Sequence, residues 1–115
     1  MKTIIAGSRI VTDYEIVKLA VEKSHINITT VISGGAKGVD SLAIKYAGES
    51  GLGLVVMPAE WNRYGKSAGF KRNEEMAKFG EALIAIWDGK SRGTEHMIFK
   101  ARMAGLRVYV YRVNA

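Results

Sequence analysis

The chain has 115 residues, a formal net charge of +6 and no cysteine. That length builds one domain, residues 1–115, and a hydrophobic content of 48% supplies a core for it. The missing cysteine excludes disulfides, thiolate zinc centres and a cysteine nucleophile, and the basic balance favours anionic partners (phosphates, nucleotides or nucleic acid) without choosing among them.

The opening MKTIIAGSRI holds only a short apolar stretch. It is too short for a signal peptide or a membrane span, so a cytoplasmic protein with no membrane partner is expected. The first strand is Lys2–Ala6. Thr12 and Glu15 are spaced as a capping box for a helix from about Asp13 to Ser24, after which His25 reads as a C-terminal cap or a surface residue. A second strand, Thr29–Ser33, runs into Gly34-Gly35-Ala36-Lys37-Gly38 and then a helix from about Val39 to Ser50. In that helix Val39, Leu42, Ala43, Tyr46 and Ala47 form one apolar stripe.

The third strand is Leu54–Pro58, followed by a loop carrying Trp61, Arg63, Tyr64 and Lys66. A third helix spans about Ser67 to Phe79, a fourth strand Ala82–Trp87, a fourth helix about Gly93 to Ala104, and a fifth strand Arg107–Tyr111. Gly51, Gly80 and Gly105 follow the last three helices, where C-terminal glycines belong. The strands are near-continuous apolar runs, as expected where both faces are covered. Regular β-α alternation predicts a doubly wound, Rossmann-like α/β fold: a mostly parallel five-stranded sheet with helices on both faces. Ligands of such sheets bind beyond the C-terminal strand ends.

The turns at those ends are Gly7-Ser8-Arg9, Ser33 to Gly38, Glu60 to Lys66, and Asp88 to Thr94. Glycine admits close backbone approach, and a following helix N-terminus offers free N–H groups, so such turns seat anions or simply turn tightly. Arg9, Lys37 and Arg92 beside three of them favour the phosphate seat. Neither a Walker A spacing nor GxGxxG occurs. Asp40 in the first turn of the second helix either complements the helix dipole, fixes the glycine loop or binds a ligand hydroxyl. Arg72 and Asn73 fall in line with the apolar stripe of the third helix, so they bond to neighbouring loop carbonyls, reach into the site, or both. Trp61 and Tyr64 either stack on a base or cover the sheet end. His96 adjoins Glu95 but has no second ligand at metal spacing, so no metal is expected.

Taken in order, Gly7-Ser8-Arg9, Ser33 to Asp40, Trp61 with Tyr64-Gly65-Lys66, Ala68-Gly69 with Arg72-Asn73 and Met76, and Gly93-Thr94 resemble the SLOG superfamily, and within it the small YspA-type (cpYpsA-related) group of bacteria and phages. More distantly the chain is similar to the LOG phosphoribohydrolases and to the Rossmann domain of DNA-processing protein A. The resemblance implies binding of a nucleotide or nucleotide-derived ligand, no cofactor, and assembly as a homo-oligomer. It implies ligand contacts from Gly7, Ser8, Arg9, Gly34, Gly35, Ala36, Lys37, Gly38, Asp40, Trp61, Tyr64, Arg72, Asn73, Ser91, Gly93 and Thr94. Two other uses occur among the relatives: cleavage of the N-glycosidic bond of a nucleoside monophosphate, and single-stranded DNA binding. In the LOG pattern PGGxGTxxE the last glutamate is catalytic; Met97 stands there in this chain, and the proline-glycine pair is absent. Hydrolysis would need another carboxylate, for which Glu74 and Glu95 are the candidates.

Overall fold

The computed structural model describes residues 1–114. Five strands, β1 (Lys2–Gly7), β2 (Thr30–Ser33), β3 (Gly53–Val56), β4 (Ala82–Trp87) and β5 (Arg107–Arg112), form one sheet in the order β3-β2-β1-β4-β5. Every pairing is parallel. The helices are α1 (Tyr14–Ser24), α2 (Val39–Glu49), α3 (Trp61–Tyr64), α4 (Ala68–Phe79) and α5 (Arg92–Met103), with a 3₁₀ turn at Gly65–Ser67.

Alternation along the central strands sorts the core into two layers. Ile5, Val31, Ile84 and Ile86 pack against Val17 and Ala20 of α1 and Val39, Ala43 and Ala47 of α2. Ile4, Ile32, Leu83 and Ala85 face the other way, against Met76 and Ala77 of α4 and Met97, Ile98 and Ala101 of α5. Ile4 and Ile5 are adjacent in sequence and both fully buried, which requires a strand covered on both sides. Each such side chain contributes about 1.5–3 kcal/mol of burial.

The edges depart from that pattern. In β3, Gly53, Leu54 and Val56 are exposed, and β5 is only half-buried, because an edge strand has a neighbour on one side alone. Three local expectations also change. The cap of α1 is Asp13, whose carboxylate accepts from Glu15 N–H at 3.0 Å; Thr12 does not cap it. The segment after β3 is not plain loop but the short helix α3 and its 3₁₀ continuation. Gly51 and Gly105 take positive φ, whereas Gly80 is extended at φ −80° and is closely packed: a Cβ there would lie 3.0 Å from the Ile4 side chain. His25 does end α1, in the left-handed region at φ 55°.

With strand order 3-2-1-4-5 the direction of winding reverses between β1 and β4. The turns after β1, β2 and β4 therefore meet over one point of the sheet rim.

Candidate functional site

The turn after β1 is the centre of that meeting. Ser8 is buried; its N–H donates to Ile86 O at 3.1 Å and its hydroxyl accepts from Asp88 N–H at 3.4 Å, which ties β1 to β4. Val39 N–H donates to Ser8 O at 3.4 Å, which ties it to α2. Gly38 is pressed against the same turn: a Cβ would lie 2.5 Å from the carbonyl oxygens of both Ser8 and Arg9, and φ is 74°. Only glycine meets both conditions.

The turn after β2 is stapled from inside. Ser33 Oγ donates to Asp40 O at 2.9 Å and accepts from Gly35 N–H at 3.2 Å. The Asp40 carboxylate accepts from Ala36 N–H at 3.1 Å. From outside, Arg72 Nη1 of α4 donates to Gly34 O at 2.6 Å. Burial pushes the Asp40 carboxyl up from the usual carboxylate range, against the Ala36 N–H and the charges of Arg72 and Arg9, which hold it down. Burial likewise disfavours the Arg72 charge, while Asp40 favours it and Arg9 opposes it.

The turn after β4 is stapled from its start. Asp88 Oδ1 accepts from Lys90 N–H and Ser91 N–H, each at 2.8 Å, and these bonds pull its carboxyl below the usual range. Ser91 caps α5 by accepting from Thr94 N–H at 3.4 Å, with the two hydroxyls 3.1 Å apart.

Between these turns and the start of α4 lies a cleft of about 410 Å³, lined by Gly7, Ser8, Arg9, Ala36, Asp40, Trp61, Arg72, Asn73, Ser91, Gly93 and Thr94 among the residues singled out in the sequence. A second hollow of about 450 Å³ adjoins it, lined by Arg9, Gly34, Gly35, Ala36, Lys37, Trp61 and Arg72, with Ser41, Pro58 and Ala59. Arg9, Ala36, Trp61 and Arg72 line both, so they form the ridge between the two. The charge differs sharply across that ridge. The cleft sets Arg9, Lys66 and Arg72 against the carboxylates of Asp40 and Asp88. The hollow has Arg9, Lys37 and Arg72 and no carboxylate in its lining.

Four expected residues stand elsewhere. Gly38 is pressed against the first turn as described. Tyr64 carries the Arg63 guanidinium at 5.0 Å and the Lys71 ammonium at 5.7 Å over its ring, and lines neither cavity. Glu74 pairs with Lys100 at 3.7 Å, and Glu95 is exposed on α5; helix phase turns both away from the cleft. Met97 is buried in the cleft wall with Met76, giving it an apolar floor. Sequence reasoning missed Asp88, Lys66, Gly69 and Phe70 as lining residues. Asp88 had a signal, being the first residue after a strand; Gly69 lies one helical turn before Asn73. Among the described residues no His, Asp and Glu cluster is set to hold a metal, and no helix is long and apolar enough to cross a membrane.

The model of the YspA, cpYpsA-related SLOG family matches residues 1–64, which include the first two turns and Trp61. The Gene 61 protein of Mycobacterium phage D29 is 33% identical over 117 aligned positions, covering 93% of each chain. Among solved structures, DNA processing protein A (DprA) from Streptococcus pneumoniae superposes with a TM-score of 0.73 at 20% identity over 95% of this chain. This chain spans about half, 49%, of that protein's length, and the likeness is one of fold.

Proposed function

The chain belongs to the YspA, cpYpsA-related SLOG family, and from that premise we propose that its cleft and hollow together bind a nucleotide or nucleotide-derived phosphate ligand. The observation that carries this reading is the charge difference across the Arg9–Trp61–Arg72 ridge. A phosphate is repelled by Asp40 and Asp88 and is drawn to Arg9, Lys37 and Arg72, so it seats in the hollow beside Gly34 and Gly35. The ribose then falls in the cleft, where carboxylates and the Ser91 and Thr94 hydroxyls accept and donate hydrogen bonds to its hydroxyl groups. Trp61, 52% exposed on the ridge, offers a ring face to the base.

The test is thermal unfolding with a panel of nucleotides. A ligand at 100 times its Kd stabilises by about 2.7 kcal/mol. Lys37→Ala should remove about half of that shift while leaving the unliganded protein as stable as before, because Lys37 is exposed. A shift unchanged in Lys37→Ala removes the phosphate from the hollow.

A hydrolytic use of the same pocket is supported by one observation: the cleft does hold carboxylates, but they are Asp40 and Asp88 rather than Glu74 and Glu95. Release of free base from nucleoside monophosphates, lost in Asp88→Asn, is its expected signature. Single-stranded DNA binding predicts instead an affinity that falls steeply with salt.

A further inference from the structure

His96 has no part in the site as described so far, yet it is built into it. Its ring lies against Phe70 of α4, with centroids 4.2 Å apart. Its Nδ1 is 3.1 Å from Asn73 Nδ2. Asn73 is buried, at 5% exposure, and every polar atom of its amide is engaged. Nδ2 also donates to Gly93 O at 3.2 Å, and Oδ1 accepts from Arg72 Nε at 3.3 Å. A carbonyl can only accept and a guanidinium N–H can only donate, so these two partners fix which way the amide points. Nδ2 therefore presents a hydrogen to His96 Nδ1. That nitrogen must carry a lone pair, which puts the imidazole proton on Nε2.

We propose that His96 is a positioning residue of this site: its neutral Nε2–H tautomer holds Asn73, which holds Arg72 on the Gly34 carbonyl, and protonation of His96 releases that chain. Taking up a proton at Nδ1 sets an N–H against the Asn73 NH₂, donor against donor. Turning the amide over removes the conflict only by setting Nδ2 against Arg72 Nε and Oδ1 against Gly93 O. Either way the relay from α5 to the β2 turn is cut.

The charged groups acting on His96 are Lys100, one turn on along α5, which opposes the imidazolium, and Glu74 of α4, which favours it; the two pair at 3.7 Å, and Arg72 lies beyond Asn73. Burial is the largest influence and, with Lys100, lowers the His96 pKa from the ordinary 6.5. The sign follows. The unfolded chain takes up this proton first, so folded stability is full above pH 6.5 and declines as the pH falls toward the lower folded value. The bearing of the relay on ligand affinity rests on the phosphate reading above; the relay itself does not.

The test is nitrogen-15 NMR of the full chain without ligand. Long-range imidazole correlations should identify the Nε2–H tautomer for His96, and the Arg72 Nε–H resonance should shift with the His96 midpoint. His96→Gln, which retains an acceptor that does not titrate, should leave the Arg72 resonance at its neutral-pH position and flat on acidification. Asn73→Ala should uncouple the two. An Nδ1–H tautomer, or an Arg72 signal that ignores the His96 titration or still titrates in His96→Gln, overturns the proposal. A relay that titrates while nucleotide affinity does not change with it upholds the relay and removes Arg72 from phosphate binding.

Discussion

The turns after β2 and β4 solve one problem in opposite ways. Both lead from a strand into a helix, and both are fastened by an aspartate. In the β2 turn the aspartate sits inside the helix and reaches back to Ala36 N–H; it is buried, and burial works against its charge. In the β4 turn the aspartate comes first and reaches forward to Lys90 and Ser91 N–H; solvent reaches it, and the hydrogen bonds work for its charge. The β4 turn carries a serine cap on its helix, with Ser8 and Asn73 bonding to its two ends. The β2 turn has no side-chain cap and depends on an arginine from α4. A carboxylate of the same type is thus a support in one turn and an electrostatic cost in the other.

The largest expected break in this comparison is between two glycines. Gly38→Ala meets positive φ and two carbonyl oxygens at 2.5 Å, and should destabilise by about 3 kcal/mol in denaturant unfolding. Gly93→Ala meets open space in the first turn of α5 and should be neutral or stabilising by up to about 1 kcal/mol. Equal losses in the two would show that the turns are packed alike. Next is the charge contrast of two exposed lysines. Lys37→Ala should weaken nucleotide binding about tenfold, roughly 1.4 kcal/mol, whereas Lys90→Ala, which lines neither cavity, should leave the titration isotherm unchanged.

The smallest effect is in the pH dependence. Asp88 has a folded pKa below its unfolded 3.8, so its support is present above pH 3.8 and is lost as the pH falls through the folded value. Asp40 is raised: the folded chain takes its proton first, and that relief grows as the pH falls through its folded value toward 3.8. At neutral pH Asp88→Asn should therefore lower the melting temperature, while Asp40→Asn, which retains an acceptor for Ala36 N–H, should hold or raise it. Melting curves at pH 7 and pH 4 for the two variants sharpen the comparison, and a loss in both at pH 7 would sink it.

The fold was legible because β-α alternation and the apolar strands are local signals. The edge exposure of β3 was not, since strand order is a property of the whole sheet. At the site, Arg72 and Asn73 were recognisable as polar residues on an apolar stripe: each bonds to a neighbouring backbone carbonyl, and each lines the cleft. Phe70 escaped notice because its direction depends on how α4 docks on α5, and Lys66 because the 3₁₀ turn that carries it has no sequence signature of its own. Glu74 and Glu95 line neither cavity, because helix phase carries them away from both. The α1 cap fell to Asp13 rather than Thr12 because the Asp13 carboxylate spans the two residues to Glu15 N–H directly.

An all-parallel sheet has a further outcome. Every strand enters from one rim and leaves at the other, so the chain's connections fall into two populations that never mix. The helix-to-strand corners at His25, Gly51, Gly80 and Gly105 belong to the rim remote from the pocket. That rim is a place where tags, epitopes or grafted segments can be installed while the cleft at the opposite pole is left intact.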